Sequence, residues 1–498
     1  MKRIAAIAIS FFMLSALFVP CVSAGLSAVP EDGSFAVSAL LEFSEEMHGM
    51  IGNCSDSVTK GAPDDPYNSA RLIVKTSGKP DTSGSLGHAE GWNNRVVLQY
   101  ASPAEAREAA ERLNRDPLVS YAVPDTEYRL GFTAGSPAPI DIHEFNSWGY
   151  GEDHVNMAAL WERVMAKYGG NASSMPEIVV AVCDSGVNVS HEFLAGRTVQ
   201  GYDFVNNDTD PSDGFGHGTF CAGVIADGTL PNVRIMPLKC ISDQGYFSTS
   251  DVVSAVEYAY LHGCAAANLS LIEYNPYVEA LYEEVINAAV DAGMVCCVAS
   301  GNWAGNASDY VPGKIERSFT VAAHDSAHAL WPLSNVGDPV DITAPGVDIL
   351  STLNTGGMDI QSGTSFAAPH AAACCAMIKT YDPGLGADEI MALLKANAIP
   401  EAYTGGGAGR LYVGSLFADG PQSVLPGDAD GDGAVTVSDA LIVLRFSMGL
   451  IGASDLNANA ADIDGDGEIT VSDALIILRT AMGLRSADNS AKHIRCMN

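Results

Sequence analysis

The chain has 498 residues, enough at roughly 100–200 residues per domain for two to four domains. Its 60 acidic residues against 26 basic leave a formal charge of -34, which argues against nucleic acid as a partner, since that needs basic patches to displace counterions. With 47% hydrophobic residues there is material for full cores, and 50 Gly with 24 Pro favour a loop-rich α/β or β protein over a helical bundle.

Lys2 and Arg3 precede an apolar run from Ile4 to about Val19, and Val22-Ser23-Ala24 closes it with small residues. A positive start, a short apolar core and an A-x-A-like stop predict a secretory signal over 1–24, and hence a secreted, extracellular protein. The run is short for a membrane anchor. Cys21 would suit a lipoprotein, but Pro20 stands where a small residue is wanted. No other stretch reaches the ~18 apolar residues of a membrane span.

Residues 25–66 are mixed and polar, with a helix predicted around Phe35–Met50. Strands at Arg71–Lys75, Arg95–Tyr100 and Val119–Val123, with a helix between Ala104 and Asn114, predict a β-β-α-β unit within 67–130. After a linker over 131–147, residues 148–417 alternate apolar strands with helical stretches. Strands such as Ile178–Cys183, Ala265–Leu271, Met294–Ala299 and Ser318–Ala322 lack polar alternation, which implies a parallel sheet covered on both faces. A second linker, 418–426, leads to a unit over 427–484 and a tail over 485–498. Of the eleven cysteines, Cys183, Cys296-Cys297 and Cys374-Cys375 lie in apolar stretches, so most are expected to be free buried thiols.

Four motifs of the large domain carry chemistry. Asp184 ends a buried strand in Val179-Val-Ala-Val-Cys-Asp-Ser-Gly186, and His217 sits beside glycines in Asp213-Gly-Phe-Gly-His-Gly-Thr219. Asn302 lies at the mouth of another strand in Ala299-Ser-Gly-Asn302, and Ser365 starts a small-residue helix in Ser362-Gly-Thr-Ser-Phe-Ala-Ala-Pro369. Acyl transfer asks for these parts. A serine needs an imidazole to take its proton, the imidazole needs a buried carboxylate, and the oxyanion needs two fixed donors. Here the donors would be the Ser365 backbone N–H and the Asn302 side chain. Singly, an Asp after a strand or a His between glycines is more often structural. Jointly, in the order Asp, His, Ser, they point to catalysis.

These residues resemble the subtilisin-like serine proteases, over roughly 68–417. Asp184-Ser-Gly186 with His191 resembles the family's aspartate block, His217-Gly-Thr-Phe-Cys-Ala-Gly223 its histidine block, and Gly363-Thr-Ser-Phe-Ala-Ala-Pro-His370 its serine block. Cys221 resembles the free cysteine of the proteinase K-like branch. The resemblance implies a doubly wound α/β fold, a triad of Asp184, His217 and Ser365 with Asn302 as oxyanion donor, and peptide substrates held by Ser270, Leu271 and Gly301. Ile272 replaces a usual glycine, which should narrow the adjacent pocket, and Phe193 stands where many relatives carry a calcium-binding Asp, so that calcium site is not expected. The unit ending in Val119-Ser-Tyr-Ala-Val-Pro-Asp125 resembles the subtilase propeptide, an intramolecular chaperone and inhibitor, with maturation expected between about Tyr128 and Ser147. A permanently attached ferredoxin-like domain is the other reading of that unit.

The third unit holds an internal repeat. Asp428-Ala-Asp-Gly-Asp-Gly-Ala-Val-Thr-Val-Ser-Asp439 recurs 34 residues later as Asp462-Ile-Asp-Gly-Asp-Gly-Glu-Ile-Thr-Val-Ser-Asp473. Asp428, Asp430, Asp432 and Asp439 in one loop, and Asp462, Asp464, Asp466 and Asp473 in the other, stand at calcium-ligand spacing. Ala434 and Glu468 would add backbone carbonyls, and Thr436 and Thr470 would hold a ligating water. With Asp closing each loop and no normal helix before it, the unit resembles the all-α dockerin modules of cellulosomal enzymes, which bind cohesin domains on scaffold proteins. By that resemblance Val437, Ser438, Val471 and Ser472 set the choice of cohesin.

The expectation is therefore a secreted, self-activating serine endopeptidase docked on a scaffold through calcium-dependent folding of its last module. A restricted processing protease and an inactive docked binding protein remain as alternatives.

Overall fold

The computed structural model describes residues 69–90, 94–132 and 148–418, and in the C-terminal region 427, 429–430, 435–452, 456–463 and 469–482. The predicted signal, the pro-segment and most of the processing linker lie outside the described residues, as do Asp428, Asp432, Ala434, Asp464, Asp466 and Glu468.

The N-terminal unit comprises β1 (Arg71–Thr76), β2 (Gly87–Glu90), β3 (Arg95–Gln99), α1 (Pro103–Leu113) and β4 (Val119–Pro124). They form an antiparallel sheet in the order β2-β3-β1-β4. Helix α1 starts where it does because the Ser102 hydroxyl accepts from the Glu105 N–H and Pro103 needs no donor of its own. Its Ala106, Ala109, Ala110 and Leu113 bury against Leu72, Val74 and Leu98 of the sheet. The sequence predicted three strands here. The fourth, β2, is Gly-His-Ala-Glu on a sheet edge, short and without apolar alternation to reveal it.

A three-residue strand, β5 (Glu127–Arg129), leaves this unit and pairs with the large domain. That domain continues with α2 (Met157–Lys167), β6 (Ile178–Asp184), β7 (Tyr202–Asp203), α3 (His217–Asp227), β8 (Val233–Lys239), β9 (Tyr246–Ser248) and α4 (Thr249–Leu261). It is completed by β10 (Ala266–Leu269), α5 (Glu279–Asp291), β11 (Val295–Ala299), β12 (Phe319–His324), β13 (Val340–Pro345), the hairpin β14 (Ile349–Thr352) and β15 (Met358–Gln361), α6 (Thr364–Tyr381) and α7 (Ala387–Asn397). Seven parallel strands run in the order β13-β12-β11-β10-β6-β8-β7. The central strands β6, β10 and β11 are buried, which is why their sequences are unbroken apolar runs. Helix α6 is buried almost end to end, and its alanines let it lie close under the sheet.

Strand β10 stops at Leu269, two residues short of the predicted Leu271, because Ser270 turns aside to bond Ser365. The eight described cysteines are free and buried. Among the described residues, no helix is long and apolar enough to cross a membrane.

In the C-terminal unit α8 (Val437–Ser447) and α10 (Val471–Ala481) pack together around Ala440, Val443, Ala474 and Ile477, beside the short α9 (Ala458–Ala461). Both long helices start directly after their Thr caps, Thr436 and Thr470.

Candidate active site

The parallel sheet brings the four candidate residues to one end. Asp184 closes β6, His217 opens α3, Asn302 follows β11 and Ser365 lies in the first turn of α6. Strand ends and helix starts converge there because every crossover of a parallel sheet returns its loops to the same edge.

The His217 Nδ1 lies 2.9 Å from both Asp184 carboxylate oxygens, and both side chains are 0% exposed. The Ser185 N–H, 2.7 Å from Asp184 Oδ1, fixes the carboxylate. With Nδ1 donating to Asp184, Nε2 carries the lone pair, and it is buried with no hydrogen-bond partner. Burial alone would lower the proton affinity of His217, but the adjacent Asp184 charge outweighs it and holds the imidazole well above its usual range. Beneath the ring, Cys221 Sγ sits 4.0 Å from Nδ1, its thiol pKa pushed up by burial.

Asp213 organises the turn into α3. Its Oδ1 accepts from Gly216 N at 2.7 Å and its Oδ2 from Thr219 N at 2.9 Å, so the carboxylate caps the helix that carries His217. Gly218 has to be glycine: a Cβ there would lie 2.2 Å from Gly186 O.

Ser365 Oγ donates to Ser270 O at 3.4 Å, while Ser270 Oγ donates to Ser365 O at 2.6 Å. Asn302 Oδ1 accepts from Thr364 N at 2.9 Å and Thr364 Oγ1 at 2.7 Å, and that hydroxyl in turn accepts from Gly301 N at 3.0 Å. Because Thr364 N–H only donates, the Asn302 oxygen must face it, which turns the NH2 away from Thr364. Thr364 was not singled out from the sequence; its place between Gly363 and Ser365 in the serine motif is the one signal it left. The expected substrate residues Ser270, Leu271 and Gly301 line one small pocket with Ile272, Asn302 and Ser365.

The cleft is not empty. Strand β5 pairs antiparallel with β9, Tyr128 opposite Phe247, and Leu130 N donates to Gly245 O at 2.7 Å. The Phe132 ring meets the His217 imidazole edge-on at 5.1 Å.

In the C-terminal unit Asp439 and Asp473 are fully buried. Asp439 accepts from Asp430 N at 3.0 Å and Thr436 N at 2.7 Å, and Asp473 from Ile463 N at 3.1 Å and Thr470 N at 2.9 Å. The Thr436 and Thr470 hydroxyls cap their helices by accepting from Ser438 N and Ser472 N. One lone pair on each is left for a water. Carboxylate, hydroxyl and backbone oxygens are the donor set that a hard cation such as calcium takes. Val437, Ala440, Leu441 and Leu444 with Val471, Ala474, Leu475 and Leu478 form an open apolar groove of about 240 Å³ between the two helices.

Sequence comparison matches residues 176–432 to the Subtilase family and residues 426–480 to the Dockerin type I domain. The chain is 34% identical over 297 residues to the thermophilic serine proteinase of Bacillus sp. (strain AK1), covering 57% of this chain and 70% of that protein. It is 31% identical over 270 residues to thermitase of Thermoactinomyces vulgaris, covering 52% of this chain and 92% of that protein. A crystal structure of a cold adapted subtilisin-like serine proteinase aligns at a TM-score of 0.45 with 32% identity, over 48% of this chain and 88% of that one. The chain belongs to the Subtilase family of serine endopeptidases and carries a C-terminal dockerin type I domain.

Proposed function

We propose that the protein is an exported endopeptidase that releases itself from an N-terminal inhibitor and works while docked on a cohesin-bearing scaffold. Ser365 attacks the peptide carbonyl as His217 Nε2 takes its proton, and Asp184 holds the tautomer and stabilises the imidazolium. Asn302 Nδ2 and the Ser365 N–H, at the positive end of α6, receive the oxyanion. His217 then gives the proton to the leaving amine, and water repeats the sequence on the ester. The observation that carries this reading is the fully buried Asp184–His217 pair, whose free Nε2 has no structural employment.

The inhibitor reading of the N-terminal unit is supported by β5, which lies along β9 in the manner of a bound peptide. Docking is supported by the exposed side chains of Val437, Leu441, Val471 and Leu475 around the apolar groove, matched about a two-fold repeat. In the dockerin, Asp430, Asp439, Asp462 and Asp473 with their sequence partners would hold one calcium per loop, whose charge offsets the clustered carboxylates and keeps the module folded.

The test is expression of wild type and Ser365→Ala with calcium present, followed by intact mass. Loss of the N-terminal unit from wild type and its retention in Ser365→Ala is the expected result. Full-length, folded protein in both cases would mean that another protease must act or that the fold is an inactive binder.

A further inference from the structure

The segment after β5 runs between the catalytic residues, and the alternation of strand bonding identifies which peptide bond they face. In an antiparallel ladder, residues directly opposite one another alternate between exchanging both backbone bonds and turning theirs to the other side. Tyr128 sits opposite Phe247, and Leu130 N donates to Gly245 O, so the backbone groups of residues 128 and 130 turn toward β9. Residues 129 and 131 therefore turn theirs away from β9. On either side of Gly131, Leu130 borders the pocket that holds Asn302 and Ser365, and Phe132 packs on His217.

The pocket itself agrees with a residue that has no side chain. It holds a cavity of about 20 Å³, room for one water, whereas a benzene ring needs on the order of 150 Å³. Ile272 closes it: its Cδ1 lies 2.5 Å from where a Cβ on Gly301 would stand, so it lies across the floor at Gly301. Both residues are buried, and Ala299 and Trp303 complete the wall.

We infer that the enzyme is directed to glycine, that Ile272 sets this preference, and that the self-processing bond is Gly131–Phe132. The inference rests on the protease reading above. Ser365 Oγ bonds to the Gly131 carbonyl carbon, the bond to the Phe132 nitrogen breaks, and that nitrogen leaves as an amine with the proton from His217. Water then cleaves the ester, giving a Gly131 carboxylate and restoring the Ser365 hydroxyl. Substrates of this class are extended chains with glycine, or at most alanine, before the cut. Larger side chains are excluded by contact with Ile272.

The test uses the full chain with calcium and reads intact mass and the new N-terminus against time. Wild type should yield a product beginning at Phe132, Gly131→Ala should process more slowly, and Gly131→Phe should slow on the order of 100-fold. Gly131→Phe combined with Ile272→Gly should recover most of the lost rate, a rescue that a misfolded variant would not give. In trans, processed wild type should cleave the peptide Tyr-Arg-Leu-Gly-Phe-Thr on the order of 100-fold faster than Tyr-Arg-Leu-Phe-Phe-Thr. A Ser365-dependent cut at another bond, or equal rates for glycine and phenylalanine, overturns the inference and leaves the protease reading standing. Absence of any Ser365-dependent cleavage of chain or peptides overturns both.

Discussion

Arg95 of β3 reaches across to Glu257 of α4, and the two side chains are 4% and 1% exposed. A second carboxylate, Glu284 of α5, lies 2.7 Å from the same guanidinium and also meets Lys75. The N-terminal sheet thus sits on two helices of the large domain through a buried charge cluster. Asp125 adds to it by accepting from Ser250 N at 2.9 Å at the start of α4, while Arg71 pairs with it at 2.9 Å. Breaking one partner of a buried pair typically costs ~3–5 kcal/mol, because the other charge is left uncompensated. After self-cleavage, Arg95→Ala should therefore retain the N-terminal unit roughly 10²–10⁴-fold less tightly than wild type. Co-elution of the two fragments in gel filtration checks this, and equal retention would remove Arg95 from the interface argument.

The Asp184–His217 pair fixes the direction of the pH response. Asp184 raises the proton affinity of His217 well above the ordinary 6.5, against the opposing effect of burial. The base works only when neutral, so kcat/KM should fall as pH drops, with its acid limb above 6.5. The stability effect has the opposite trend: a raised histidine pKa stabilises the fold fully below the unfolded value and loses that contribution as pH rises through the folded one. Asp184→Asn should move the acid limb down and lower kcat on the order of 10⁴-fold. An acid limb of the wild type at or below 6.5 would contradict the argument.

Asn302 and Thr364 differ in kind, and their variants should separate. Asn302→Ala would remove the proposed oxyanion donor, so kcat should drop roughly 10²–10³-fold with KM little changed. Thr364 is a positioning residue, since its hydroxyl links Gly301 N to Asn302 Oδ1. Thr364→Val should lower kcat by roughly tenfold at constant KM, the scale of one neutral hydrogen bond, and Thr364→Ser should recover it. A change confined to KM would place Thr364 in binding instead.

The parallel sheet was legible because buried strands such as Ile178–Cys183 carry no polar alternation, and Asp184 and Asn302 stand at the ends of such strands in the sequence. The contents of the cleft were not legible. Glu127-Tyr-Arg129 is too short and too polar to announce a strand, and its partner lies more than a hundred residues away in sequence. The same holds for Arg95, which reads as an exposed strand residue until α4 presents Glu257 to it. Periodicity reports which face of an element is apolar, whereas pairings between separate units depend on how those units meet. The Ile272 substitution was visible, but its effect required the position of Cδ1 over Gly301.

A second pH response should come from Glu273, which is buried three residues after Ser270. Burial pushes its carboxyl up to about 8, although Tyr282 and Thr249 donate to it; Asp125 of the N-terminal unit pushes in the same direction as burial. In the unfolded chain the group returns to about 4.5. A raised carboxyl favours the fold while protonated, so its contribution is complete below about 4.5, declines as pH rises and is gone above about 8. At roughly 1.4 kcal/mol per pH unit the loss is at most on the order of 5 kcal/mol. Glu273→Gln in the uncleavable Ser365→Ala chain keeps a neutral partner for Tyr282 and Thr249 and should flatten the decline. Denaturant midpoints at pH 5 and pH 8 measure it: the Ser365→Ala parent should lose stability between them, and the Glu273→Gln variant should lose clearly less. Equal slopes in the two chains would show that Glu273 is ionised in the fold across the whole range, in which case its two donors outweigh its burial.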